Sequence, residues 1–167
     1  GQEVMHRLIA RTDVVMEGFR PGVAERLGVD YASVSHFNPS VVYCSISGFG
    51  QDGPYRNRAG HDINYLAIGG LLSQQKPPAV PPVLISDLSS GMYGALAIIA
   101  GLMDRQNTGG GCNIDLSMTD CILSWMALDI ARTANAPVGD SPPFLENIPH
   151  YGIFETSDNR YISIGIV

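Results

Sequence analysis

A chain of 167 residues that is 45% hydrophobic and only 16% charged carries enough apolar material for one ordinary buried core, which excludes a disordered polyelectrolyte. Its formal net charge of −6 argues against a nucleic-acid groove, because a polyanion needs a basic stripe to bind. Nine of the ten basic residues are nevertheless Arg, and Arg7, Arg11, Arg20, Arg26, Arg56 and Arg58 fall in the first half of the chain. The guanidinium suits bidentate capture of phosphate or carboxylate, so a small phosphorylated ligand stays open beside the plainer reading of solvated surface residues.

Taken in order, Gln2 to Arg11 has the apolar spacing of a helix (Val4, Met5, Leu8, Ile9), and Asp13 to Glu17 is a short apolar run suited to a buried strand. Gly18-Phe-Arg-Pro-Gly22 is a turn, with Pro21 suited to the first turn of a short helix over Val23–Leu27. Asp30 to Ser35 reads as a second short helix, stopped by Asn38-Pro39. Val41 to Ser47 is the clearest strand, rich in β-branched residues, and a glycine-rich loop, Gly48 to Pro54, lies at its carboxyl end. His61 to Leu72 reads as a helix, and the Pro-rich stretch from Gln74 to Pro82 as a loop. Asp87 is expected to open a long helix to about Arg105, with an acidic side chain near its start. Its apolar part, Gly91 to Met103, is too short to span a bilayer and reads as buried. Asn113 to Ser117 is a strand, and Met118 to Ala134 a single helix.

Ala136 to Pro149 carries four prolines and reads as an interdomain linker, followed by a β-hairpin from Tyr151 to Val167. The domain reading is therefore residues 1–135 as a large domain, 136–150 as linker, and 151–167 as the start of a smaller one. The chain begins at Gly1 rather than Met and stops at Val167 inside a strand-like run, so further sequence is expected on both sides. Cys44, Cys112 and Cys121 are odd in number and lack metal-ligand spacing, so a reducing compartment fits better than a disulfide framework, and no metal site is expected. Strands alternating with helices point to an α/β fold with a largely parallel sheet, whose sites collect at the carboxyl ends of the strands.

Five segments, in order, carry a resemblance: Glu17-Gly-Phe-Arg-Pro-Gly-Val-Ala-Glu-Arg-Leu-Gly28, Ser47-Gly-Phe-Gly-Gln-Asp-Gly-Pro54, Gly60-His-Asp-Ile-Asn-Tyr65, Ser86-Asp87 ahead of a glycine-containing helix, and Gly109 to Met118. Together they resemble the family III CoA-transferases and α-methylacyl-CoA racemases. The resemblance implies a Rossmann-like CoA-binding domain, an acyl-CoA substrate with no metal or redox cofactor, and an interlocked homodimer in the cytoplasm, or in mitochondria or peroxisomes if eukaryotic. It implies that Asp87 is the nucleophile in the transferase branch and works with His61 in the racemase branch. The presence of His61 makes the chain more similar to racemases. Gly18, Phe19, Arg20, Arg26 and Gly60 through Tyr65 (with Ile63 and Asn64) fall on the family's CoA-contacting segments. The Glu that pairs with the His in racemases would fall just past Val167.

Racemisation explains the need for two groups. One base must remove the α-proton while a protonated group on the opposite face delivers another. His61 can take either part near neutral pH. Asp87 must be held with its protonated form accessible, for which desolvation is the usual means. The enolate oxygen needs hydrogen-bond donors, and the Asp62 N–H at the expected helix start is the candidate. Other readings stand beside these. Asp87 is also a natural helix N-cap, Arg26 can pair with a carboxylate on its own helix, and Asn64 and Tyr65 can simply pack. The functional alternatives to a racemase are a transferase using Asp87 as nucleophile and a CoA-binding subunit without catalysis.

Overall fold

The computed structural model describes residues 1–134 and 148–166. Helix α1 (Gln2–Ile9) leads into strand β1 (Val14–Glu17), and two short helices, α2 (Val23–Leu27) and α3 (Tyr31–Phe37), connect it to β2 (Val42–Ser47). The glycine-rich loop then leads to α4 (Asp62–Ile68), a 3-10 turn at Leu71–Gln74, the long α5 (Ile85–Thr108) and β3 (Cys112–Ser117). Helices α6 (Met118–Trp125) and α7 (Ala127–Ala134) follow. The three strands form a parallel sheet in the order β1-β2-β3, with Val14 opposite Val42, and Val42 opposite Cys112. This is the α/β architecture that the alternation of strands and helices implied.

Side chains along β2 alternate between the two faces of the sheet, as the pleat requires. Tyr43 faces a cluster with Ile9, Val34 and Val41, against which Val15, Val29 and Tyr31 pack. Its hydroxyl donates to the Val29 carbonyl at 2.9 Å. Val42 and Ile46 point the other way, onto α5. That helix comes close because small residues face the sheet: a Cβ on Gly94 would stand 3.1 Å from Ile46 Cδ1, and one on Gly101 2.8 Å from Cys112 Sγ. A second core gathers Leu66, Ile122 and Met126, flanked by Leu71, Leu72 and Ile85.

Three expectations need correction. The helix expected from His61 to Leu72 stops at Ile68, and Gly70, at φ 85°, separates it from the 3-10 turn at Leu71–Gln74. Helix α5 is not buried all round. By length and composition it would suffice to cross a membrane, yet its small residues (Ser86, Ser89, Ser90, Gly94) pack inward while Leu88, Met92, Leu96, Ile99 and Met103 lie exposed along its outer face. Close approach to a sheet selects small side chains, so the large apolar ones are left to point outward. The expected single helix from Met118 to Ala134 is two. The ladder tightens at Met126, whose N–H is shared between the carbonyls of Ile122 and Leu123, and this turns the Met126 side chain into the second core. The expected hairpin is present as β4 (Tyr151–Glu155) paired antiparallel with β5 (Tyr161–Gly165). Of the expected linker, residues 136–147 lie outside the described residues.

Candidate active site

The carboxyl ends of all three parallel strands open on one cleft of about 290 Å³. Gly18, Phe19, Arg20 and Pro21 reach it after β1, Ser47 at the end of β2, Gly48 and Phe49 just past it, and Met118 after β3. Arg56, Arg58, Ala59, Gly60, His61 and Tyr65 close it from the segment that follows the glycine-rich loop. Three guanidinium-bearing residues and one imidazole thus meet at the end of the sheet where α/β proteins bind their ligands.

The loop that carries His61 is held by an aromatic wedge. Tyr65 is buried at 7% exposure, and its hydroxyl donates to the Gly60 carbonyl at 2.7 Å. Its ring fits between two glycines. A Cβ at Gly48 would stand 2.4 Å from Tyr65 Cε1, and one at Gly60 2.7 Å from the same atom. Phe49 meets the ring edge-on, with centroids 5.3 Å apart, and Tyr55 meets Phe49 the same way at 5.5 Å. Arg58 stacks over Tyr55, 4.2 Å from its centroid. Strand β3 and the first turn of α6 anchor the other end of the loop. The Thr119 hydroxyl and N–H both donate to the Gly48 carbonyl, at 2.8 and 3.2 Å, and the Asp115 carboxylate accepts from the Gln51 N–H at 2.9 Å.

His61 is the N-cap of α4, exposed at the cleft wall, with its own N–H accepted by the Asn64 side-chain oxygen at 3.0 Å. The Asp62 N–H begins the helix and so has no intrahelical carbonyl to donate to. Asp87 is not an N-cap. Helix α5 begins two residues before it, at Ile85, with Leu84 in the capping position. The first turn of α5 is capped instead from outside: the buried Asp62 carboxylate accepts the Ser86 N–H at 2.6 Å and the Asp87 N–H at 3.2 Å. This places Asp87 next to the His61-Asp62 dipeptide across 25 residues of sequence.

The electrostatics follow this placement. Partial burial pushes the Asp87 carboxyl above the ordinary carboxylate range, the negative charge of Asp62 pushes it further, and His61 pulls it back. An enclosing apolar pocket is not the cause, because Asp87 lies exposed on the first turn of α5. Burial likewise raises the Tyr65 phenol, helped by Asp87 and opposed by Arg20.

Of the residues singled out from sequence, Gly18, Phe19, Arg20, Gly60, His61 and Tyr65 line the cleft, Asp62 is buried behind it, and Asp87, exposed on the first turn of α5, is outside the lining. Ile63 and Asn64 are exposed on α4 outside the lining. Arg26 is exposed on α2, where its guanidinium lies 3.8 Å from the position a Cβ on Gly22 would take, and it too is outside the lining. Sequence reasoning passed over Ser47, Met118, Arg56 and Arg58 as site residues. The two arginines were visible only as members of a cluster, and Ser47 and Met118 only as the ends of two of the resembling segments.

Comparison with known proteins places the chain in a family. The model of CoA-transferase family III matches residues 1–167. The chain belongs to CoA-transferase family III. It is 34% identical to the human alpha-methylacyl-CoA racemase over 176 aligned positions, covering all of this chain and 46% of that protein. It is 33% identical to the formyl-CoA:oxalate CoA-transferase of Streptomyces avermitilis, over 91% of this chain and 39% of that one. A crystal structure of a CAIB/BAIF family protein from Brucella suis superposes with a TM-score of 0.85 at 35% identity, covering 96% of this chain and 44% of the other. The chain therefore spans less than half the length of these relatives. Racemases and transferases among these relatives stand at similar identity to the chain.

Proposed function

We propose that this chain is part of an isomerase that inverts the α-carbon of 2-methyl-branched acyl-CoA thioesters by two-base proton transfer. The observation that carries the reading is the meeting of His61 and Asp87 at two adjoining helix starts, joined through the Asp62 carboxylate. One of the pair breaks the α-carbon–hydrogen bond and takes the proton, and the electron pair passes into the thioester as an enolate. The other group, protonated beforehand, delivers its proton to the opposite face. The carbon skeleton is unchanged, and the two groups end with their protons exchanged. Asp87 suits this part because its raised affinity for a proton keeps the acid form accessible. The Asp62 N–H, with no carbonyl in its own helix, is the donor proposed for the enolate oxygen. Arg20, joined by Arg56 and Arg58 on the cleft wall, would hold the phosphates of the CoA portion, which enters as part of the substrate.

The second reading is CoA transfer, favoured by the exposure of Asp87 and by identity to a transferase similar to that shown to a racemase. Here an Asp87 oxygen attacks the thioester carbonyl, the carbon–sulfur bond breaks, and CoA leaves as its thiolate. The full-length protein incubated with a 2-methylacyl-CoA in D₂O separates the two. Deuterium entering the α-position supports the racemase. Absence of exchange together with a hydroxylamine-trapped acyl group on Asp87 would replace it with the transferase.

A further inference from the structure

We infer that Asp62 acts through its side chain as a positioning residue: its buried carboxylate ties the first turn of α5 to the first turn of α4 and so holds Asp87 in register with His61. The inference rests on the proposed pairing of those two residues, but its observations are independent of which reaction the pair performs.

Asp62 is 8% exposed, and a carboxylate that deep requires hydrogen-bond partners. It finds them in the two amides of α5, Ser86 N–H at 2.6 Å and Asp87 N–H at 3.2 Å, both converging on a single oxygen, Oδ1. Leu84, in the capping position of α5, has no side-chain acceptor, so no local residue supplies this bond. A 24-residue helix therefore takes its cap from a residue 24 positions earlier in sequence. The donor of the second bond is the backbone of Asp87 itself. The acceptor belongs to the residue directly after His61. Any change in the Asp62 side chain is transmitted to both members of the pair.

The second turn of this contact is also fixed. Ser86 is fully buried, and its hydroxyl lies 3.5 Å from the Met118 carbonyl, where α6 begins. The Ser89 and Ser90 hydroxyls donate back to the carbonyls of Ser86 and Asp87. The titratable groups facing Asp87 are His61, Asp62 and Tyr65 from α4, with Arg20 acting on Tyr65 from the loop after β1. The charge of Asp62 works in the same direction as its geometry, since it strengthens the hold of Asp87 on a proton.

The test uses the full-length protein carrying Asp62→Asn or Asp62→Ala. Asparagine keeps an oxygen acceptor and removes the charge. Alanine removes both. With Asp62→Ala, kcat for α-proton exchange is expected to fall about 10²-fold, the scale of an active-site misplacement of about 1 Å, with KM for the acyl-CoA changed little. With Asp62→Asn, most of kcat returns, but the limb of the pH profile governed by Asp87 moves to lower pH. A folded Asp62→Ala protein with kcat within about twofold of wild type overturns the positioning role, on a scale where tenfold is 1.4 kcal/mol. Should Asp62→Ala not fold, Asp62→Asn decides: a folded protein whose kcat falls about 10²-fold although the oxygen acceptor is kept overturns the positioning role. If wild type traps an acyl-Asp87 and shows no exchange, the racemase reading falls, and the same two variants are judged by the rate at which that acyl group forms. If wild type does neither, both readings fall together.

Discussion

Adding one methyl group at Gly48 probes the wedge on which the His61 loop rests. The new Cβ would stand 2.4 Å from Tyr65 Cε1, 2.6 Å from Cζ and 2.6 Å from the hydroxyl oxygen. Carbon atoms in contact sit about 3.5–4.0 Å apart, so the overlap is roughly 1 Å or more and falls on a buried ring. The ring cannot swing away freely, because Phe49 meets it from one side and Gly60 lies against the same carbon. Overpacking of this kind costs about 1–3 kcal/mol. If the ring yields instead, it gives up its hydroxyl bond to the Gly60 carbonyl, a further loss of about 1 kcal/mol. The expected destabilisation of Gly48→Ala is therefore about 2–4 kcal/mol, taken from a total that for a domain is about 5–15 kcal/mol. Because the Gly60 carbonyl immediately precedes His61, kcat should fall as well. The assay is the urea midpoint of the full-length protein, measured for Gly48→Ala alone and in a Tyr65→Ala background. Gly48 is not among the glycines held at positive φ. Without the ring, the methyl should be neutral or stabilising by about 0.4–1 kcal/mol, through the unfolded chain. An equal loss in both backgrounds would refute the clash as the cause.

Two further outcomes follow from the site. Arg20 lines the cleft and Arg26 does not, so Arg20→Ala should raise KM for the acyl-CoA about tenfold or more, as loss of a charged hydrogen bond does, whereas Arg26→Ala should leave it within about twofold, as an exposed charge does. Equal effects in steady-state kinetics would remove Arg20 from the binding wall. Asp87 holds its proton more tightly in the fold than in the unfolded chain. The folded state therefore binds more protons in the interval between the two values, and stability falls as pH rises through it. Asp87→Asn lacks this loss, so above that interval its Tm should equal or exceed that of wild type, with the advantage disappearing below about pH 4. A Tm lowered equally at every pH would show that Asp87 holds the fold together by other means.

The elements of this chain were legible because their signals are local. β-branched runs marked β1 and β2, glycines at 22, 28 and 109 in left-handed conformations closed or opened helices, and the Asp13, Val41 and Asn113 boundaries moved by a single residue. His61 and Asp87 were legible as well, through motifs that carry them in fixed order. Their arrangement was not, because it depends on contacts between segments far apart in sequence. Helix propensity cannot show that Asp62 caps a helix 24 residues on, that small residues turn α5 inward and leave its large ones exposed, or that Met126 breaks a helix to fill a core. Sequence by itself determined the kind of fold and offered His61 and Asp87 as candidates, since periodicity and residue chemistry are properties of short stretches. Only the tertiary structure decided which arginines face the cleft and what holds the pair together, since those depend on the packing of α4 and α5 at the end of the sheet.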